Sequence, residues 1–514
     1  MKTALTLLLA ASSLALSAPA TAQDGDDNRD QIVVADYRVD AAYTANQQVE
    51  RLSDPDDAGT QLNAVISVNP NAGRDAREAL DAGLLLAGRT VLVKDNIETR
   101  ELPTTAGSLA LEVNDTGRDA PLIERLRANG GVVLGKTNLS EWANFRSTNS
   151  TSGWSAVGGI TRNPHAVDRN ACGSSSGSGA AVAAGLSWAT IGTETDGSIT
   201  CPASVNGVVG FKPTVGLVSQ QHIVPISHSQ DTAGPMARSV EDAALLLSAI
   251  AGPTYGEIGP PDVFYDFTVG LDEASLEGVR IGVLRNRYGG FEPLGQVYEQ
   301  ALSDLRRAGA ELVDIDFTPD PAMGGAEYTV LLYEFREGIN AYLESSPADI
   351  PVRSLQDLID FNAVHALSEM RWFDQDIFEM ALEAADTAAY EEALATSQRL
   401  ARDEGIDRLL AENEVAFLIA PTRGPAWNID LVLGDHWTGG VGIGSLAAVA
   451  GYPHLTVPMG HVEGLPVGLS FIGRAWDDPI ILQAGAAYER ARTLDVPEPT
   501  LRRWEPWGAT DAGQ

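Results

Sequence analysis

Two serine-rich turns define the chemistry this chain could perform. Residues 172–201 read CGSSSGSGAAVAAGLSWATIGTETDGSITC. The first turn holds Ser174, Ser175 and Ser176, and the second is Thr195-Asp196-Gly197-Ser198. Glycine beside serine lets the backbone take tight turns that would otherwise be strained. Such turns can expose a hydroxyl and aim several N–H groups at one point. Side by side, the two would supply a nucleophilic serine and an oxyanion hole. A flexible linker is a poor alternative, because AAVAAG and ATIG are core-forming sequences. A phosphate cradle usually carries its own Lys or Arg at the turn, and none lies between Cys172 and Cys201.

The elements between the turns must position them. AAVAAGLSW reads as a small-residue helix able to pack closely, and ATIGT as a short buried strand. Upstream, VLV reads as a buried strand ending at Lys94-Asp95-Asn96, followed by the polar turn TTAGS at 104–108. Taken alone, Lys94 suits an ion pair with Asp95 at a strand end; beside the serine turns it suits a base. Lysine is otherwise almost avoided. Lys2, Lys94, Lys136 and Lys212 are the only four, and Arg supplies every other side-chain cation. Arg stays charged and cannot accept a proton.

These segments resemble the amidase signature family. The resemblance rests on GSSSGSGAAVAAG, on GTETDGSITCPASVNGVVGFKPTVGLVS, and on the strand–KDN–TTAGS pattern. It continues through DTAGPMARSVEDA and two C-terminal stretches, GYPHLTVPMG and GLPVGLSFIGRAWDD, and so covers roughly residue 89 to the 490s. It implies that Ser198 is the nucleophile, Lys94 the base, and Ser174 the bridging serine, preceded by a cis peptide bond. The backbone N–H groups of Thr195, Asp196, Gly197 and Ser198 would form the oxyanion hole. Lys136 matches a structural turn of the family and receives no chemical role. The variants CGSSSGSG and ETDGSITCP look most like the bacterial peptide amidase branch, which removes C-terminal amides from peptides. Asp196 stands where the family commonly has Gly, and Thr200 where it commonly has Arg.

The implied roles are physically coherent. A serine hydroxyl is a weak nucleophile until a base takes its proton. Lys94 can do so only when neutral, so burial must lower it from about 10.4 towards ~7–8. Ser174 can donate and accept at once. No metal or other cofactor is expected: HExxH is absent and no Cys/His cluster has zinc spacing. A Ser-His-Asp triad is the rival mechanism, but there is no GxSxG elbow. His165, His222, His228, His365, His436, His454 and His461 stand in no motif and read as satisfied surface or core residues, with His222 and His228 the candidates for lining a pocket. Cys172 and Cys201, the only cysteines, flank the serines and could be either a disulfide or two buried thiols.

Residues 1–22 read as a secretory signal, with Lys2, an apolar stretch and Ala20-Thr21-Ala22 as a cleavage site. That predicts a secreted or periplasmic protein. Residues 23–35 read as a flexible acidic N-terminus, 36–505 as the enzyme domain, and 506–514 as a tail. A net charge of −35 argues against a nucleic-acid partner, and no further apolar stretch suggests a membrane partner. Alternating strand and helix signals argue for an α/β fold. We expect a single large α/β/α domain with a mixed, mostly parallel central sheet covered by helices. Asp119 is expected to cap the helix that contains Leu122, Ile123 and Leu126. Residues 325–413 read as mostly helical and acidic, with Trp372, Phe373 and Phe378 grouped together; substrate specificity could reside there, and most of those aromatics read as part of a helical cover packed on the sheet.

The expected function is amide hydrolysis through an acyl-enzyme, on C-terminal peptide amides that release ammonia. The alternatives are an amidase for aryl, acyl or small aliphatic amides, an amidotransferase subunit, and a non-catalytic periplasmic binding protein.

Overall fold

The computed structural model describes residues 41–55, 57, 59–252 and 266–505. The signal, the acidic N-terminus and the C-terminal tail expected from the sequence lie outside the described residues.

Eleven strands form one sheet. In chain order they are β1 (Val65–Val68), β2 (Thr90–Lys94), β3 (Val132–Thr137), β6 (Ala189–Glu194), β7 (Val209–Lys212), β8 (Thr232–Ala237), β9 (Arg280–Val283), β10 (Glu311–Asp314), β11 (Phe417–Pro421), β12 (His454–Val462) and β13 (Leu465–Ile472). A separate two-stranded ribbon supplies β4 (Trp154–Ser155) and β5 (Gly159–Ile160). The sheet order is β1-β3-β2-β6-β8-β7-β12-β13-β11-β9-β10. Parallel pairs fall in two groups, β3-β2-β6 and β11-β9-β10. Antiparallel strands join them. The β12–β13 pair is a tight hairpin closing at Glu463-Gly464, both at positive φ.

The two faces of the sheet follow from period-two alternation. Val91, Val93, Val133 and Ile191 enter one core with the helices Pro121–Ala128, Val240–Ile250, Glu292–Arg307 and Asp478–Ala491. Leu92, Val132 and Leu134 enter the opposite core with Ala180 and Ala181 of the helix Ser176–Ala183. Lys94 shares the parity of Leu92 and so ends its strand on the face that carries the serine helix. That helix packs closely, as its composition predicts: a Cβ on Gly177 would lie 2.2 Å from the Ala64 carbonyl oxygen. It stops at Ala183, earlier than the AAVAAGLSW pattern suggests, because Gly185 turns left-handed at φ +67°.

The second half has the expected cover, with helices Pro321–Ser345, Leu355–Val364, Asp376–Glu383 and Thr387–Ala401. Phe378 packs on Trp142 and Phe335, and Phe373 on Trp154. Asp119 does not cap its helix. Ala120 is the N-cap, and Asp119 instead accepts from the Arg100 N–H at 2.9 Å and the Arg127 Nε at 3.0 Å. Pro121 at the first helical position makes a side-chain cap less needed, because it has no N–H to satisfy.

Candidate active site

Lys94 is fully buried at the end of β2. Its Nζ lies 2.7 Å from Ser174 Oγ, 2.8 Å from Thr193 Oγ1 and 3.2 Å from the Thr193 carbonyl oxygen. Parallel pairing of β2 with β6 brings the end of β6, with Thr193, beside it. Asn96 Nδ2 donates to the same Thr193 Oγ1 at 3.0 Å, so the hydroxyl that holds Lys94 is itself held. Lys94 makes no ion pair with Asp95. Asp95 pairs with Lys136 at 3.2 Å and accepts from the Thr105 hydroxyl, and both partners of that ion pair are buried. Lys136 is thereby structural, as the sequence suggests. Burial, opposed by the charges of Asp231 and Glu194, lowers the Lys94 ammonium from 10.5 to about 7.

The two serine turns meet. Ser175 N–H donates to the Ser198 carbonyl at 3.1 Å. Ser175 Oγ donates to the Thr193 carbonyl at 3.0 Å and accepts from the Thr193 N–H at 3.2 Å. Ser174 is fully buried, and the Gly173–Ser174 peptide bond is cis. Gly197 has φ +82°, a conformation that glycine alone takes freely. Glu194 Oε2 gathers the N–H groups of Ile199 at 2.7 Å and Thr200 at 2.9 Å, so the turn is fixed from its far side. Among the described residues, no turn or cap hydrogen bond uses the N–H groups of Thr195, Asp196, Gly197 or Ser198. Cys172 and Cys201 form a disulfide that ties the first turn to the residues after the second.

Ser198 opens onto a cavity of about 630 Å³. One wall is the pair of turns, and the other comes from the helix Pro321–Ser345 through Met323, Glu327 and Leu331. Arg423, Trp427, Trp437 and Ser445 complete it. Of the seven histidines, His454 lines this cavity, whereas His222 and His228 do not. Burial holds His454 neutral, at about 3, and its Nε2 lies 2.6 Å from Ser470 Oγ. No group of three or more metal-binding side chains occurs among the described residues, and no helix there is long and apolar enough to cross a membrane.

Sequence reasoning missed Thr193 and Asp231. Asp231 accepts from Thr195 Oγ1 at 2.6 Å and from the Ile226 and Ser227 N–H groups at 2.8 and 2.9 Å. Burial raises it to about 6. Thr193 stands on β6 and Asp231 immediately precedes β8, and the pairing of those strands brings both to the site.

The amidase family profile matches residues 50–482, and this chain belongs to that family. A protein of Arabidopsis thaliana named as a probable amidase is 37% identical over 462 residues, covering 85% of this chain and 84% of that one. The native peptide amidase of Stenotrophomonas maltophilia is 46% identical, with a TM-score of 0.83 and coverage of 92% of this chain and 97% of that one. A peptide amidase complex with the competitive inhibitor chymostatin is 47% identical, with a TM-score of 0.86 and coverage of 91% and 97%. The chain is therefore a hydrolase of amide carbon–nitrogen bonds. Nothing in these likenesses supports a non-catalytic binding protein.

Proposed function

We propose that this enzyme is an exported serine amidase that removes C-terminal amides from peptides through a Ser198–Ser174–Lys94 relay. The observation that carries the relay is the buried Lys94 amine, 2.7 Å from Ser174 Oγ and lowered to about 7. At neutral pH about half of Lys94 is then an amine able to accept a proton. Ser174 passes the Ser198 proton to Lys94 as Ser198 Oγ bonds to the amide carbon. The N–H groups of Thr195, Asp196, Gly197 and Ser198 receive the oxyanion; losing one such donor typically costs ~3–4 kcal/mol of barrier. The carbon–nitrogen bond breaks as Lys94 returns its proton to the leaving nitrogen, which departs as ammonia. Water then attacks the acyl-enzyme, its proton takes the same route, and Ser198 is restored.

The peptide amidase likenesses support a peptide amide substrate, and the cavity has room for a peptide's last residues. The Cys172–Cys201 disulfide suits an oxidising compartment and supports export. The test is ammonia release from an amidated peptide by the mature wild type and by Ser198→Ala. Release by wild type alone is expected. Equal release by both would sink Ser198 as nucleophile. Cleavage of an anilide without any peptide-amide turnover would keep the serine chemistry and discard the peptide substrate.

A further inference from the structure

The cavity offers one acceptor and one donor that the hydrolytic relay does not use. Asp196 is exposed on the turn that carries Ser198, and its Oδ2 accepts from Ser445 Oγ at 2.7 Å. An ionised carboxylate has about four lone-pair sites, so one hydroxyl leaves it able to take a further N–H. Arg423 lies just beyond β11, and its guanidinium stacks over Trp437 at 5.0 Å. Its Nε is buried and has no hydrogen-bond partner. The other charged residues on the cavity wall are engaged. Arg287 donates to the Gly442 carbonyl, Asp320 caps its helix at Ala322, and Glu327 accepts from Gln230 at 3.0 Å. Arg423 and Asp196 are close enough for each to feel the other's charge.

Arg423 lines the cavity, and no hydrogen bond or ion pair among the described residues occupies its guanidinium, so it is free to donate to an acceptor on the substrate. A peptide amide carries such an acceptor, and a matching donor, next to its scissile carbon. The amidated residue bears an N–H on the same Cα as the reacting carboxamide, and the preceding residue contributes a carbonyl. We propose that Asp196 and Arg423 clamp this last internal peptide unit, Asp196 accepting its N–H and Arg423 donating to its carbonyl oxygen. Asp196 takes the N–H because it shares the turn with the nucleophile, and that N–H lies nearest the reacting carbon. Arg423, which lines the same cavity from the segment after β11, is then assigned the carbonyl of the preceding residue. Simple aryl or aliphatic amides lack this unit, so the clamp selects peptides over other amides. The inference rests on the peptide amide reading proposed above and assigns residues to it.

The test compares ammonia release from N-acetyl-phenylalaninamide, from 3-phenylpropanamide, which lacks the internal unit, and from 2-acetoxy-3-phenylpropanamide, in which oxygen replaces the N–H. Wild type should favour the first over each of the others by roughly ten- to hundredfold in kcat/KM, the range expected for a lost hydrogen bond to a charged group. Arg423→Met should lower the ratio between the first two substrates by a similar factor, and Arg423→Lys by less. A wild type that does not prefer the acetylated amide overturns the peptide reading itself. A wild type that does prefer it, with Arg423→Met slowing all three equally, leaves that reading standing and overturns the clamp. Equal turnover of the N–H and oxygen analogues removes Asp196 from it. A loss in Arg423→Met confined to acetylated amides with acidic side chains assigns Arg423 to a side chain instead and also overturns the clamp. The comparison of analogues on wild type needs no variant to fold.

Discussion

Replacing Lys94 by Met should change how stability depends on pH. Lys94 is held at about 7 against an ordinary 10.5, chiefly by burial. Below pH 7 both the folded and the unfolded chain carry the ammonium, and the folded state bears its full desolvation cost. Above pH 7 the folded chain releases that proton while the unfolded chain keeps it until about 10.5. The unfolded state then binds more protons, so stability rises with pH across this window. The slope is roughly 1.4 kcal/mol per pH unit, and the full window is worth roughly 5 kcal/mol. Lys94→Met lacks this dependence. It also leaves Thr193 Oγ1, the Thr193 carbonyl and Ser174 Oγ without the Lys94 partner, at roughly 1 kcal/mol each. Those losses do not vary with pH. Urea unfolding of both proteins from pH 6 to 9.5 should therefore show the variant at its best relative to wild type at pH 6, then falling behind by roughly 1.4 kcal/mol per unit above pH 7. Lys136 and Lys212 contribute equally to both proteins and cancel. Wild-type kcat/KM should rise about tenfold per unit up to pH 7 and then level, while the variant is inactive. A stability difference that stays flat from pH 7.5 to 9.5 would refute a neutral buried Lys94.

Thr193→Val keeps the shape but removes an acceptor that favours the ammonium, so the midpoint of the kcat/KM profile should move below that of wild type, with Asn96 Nδ2 left unpaired at roughly 1–3 kcal/mol in urea unfolding. Gly197→Ala meets no atom within 4 Å and changes only the backbone, at φ +82°. Its expected cost is roughly 1–2 kcal/mol, with a fall in kcat larger than any change in melting temperature, because the turn carries the proposed oxyanion donors. Cys172→Ala/Cys201→Ala opens a loop with a sequence separation of 29 and should cost roughly 3–4 kcal/mol in urea unfolding. Its kcat/KM should drop as the two turns loosen, and dithiothreitol should act on wild type but not on the variant.

The sequence is most legible where local chemistry demands particular residues. The two serine turns, the strand ending at Lys94, the α/β alternation and the helical cover can all be read from spacing and composition. Register cannot. That Thr193 stands beside Lys94 depends on how β2 aligns with β6, and no local pattern encodes a pairing across roughly a hundred residues. Asp231 reaches the site through the antiparallel β6–β8 pair for the same reason. His454 looks unremarkable in the chain, and only the β12 position beside Lys212 brings it to the cavity wall. The spacing of the two cysteines fits either redox state; the fold decides it by bringing the Cα atoms to 6.0 Å.

The cavity joins two stretches of chain that are far apart in sequence. The residues assigned to bond-breaking lie between Lys94 and Ser198, whereas much of the facing wall comes from residues 319–331 and 422–446. Recombination within the family can therefore exchange much of one wall without touching the relay. A chimera that imports a relative's 319–331 and 422–446 segments onto this sheet should shift the choice of amide towards the relative's, as far as Asp196 on the retained turn allows, while keeping this chain's dependence on Lys94.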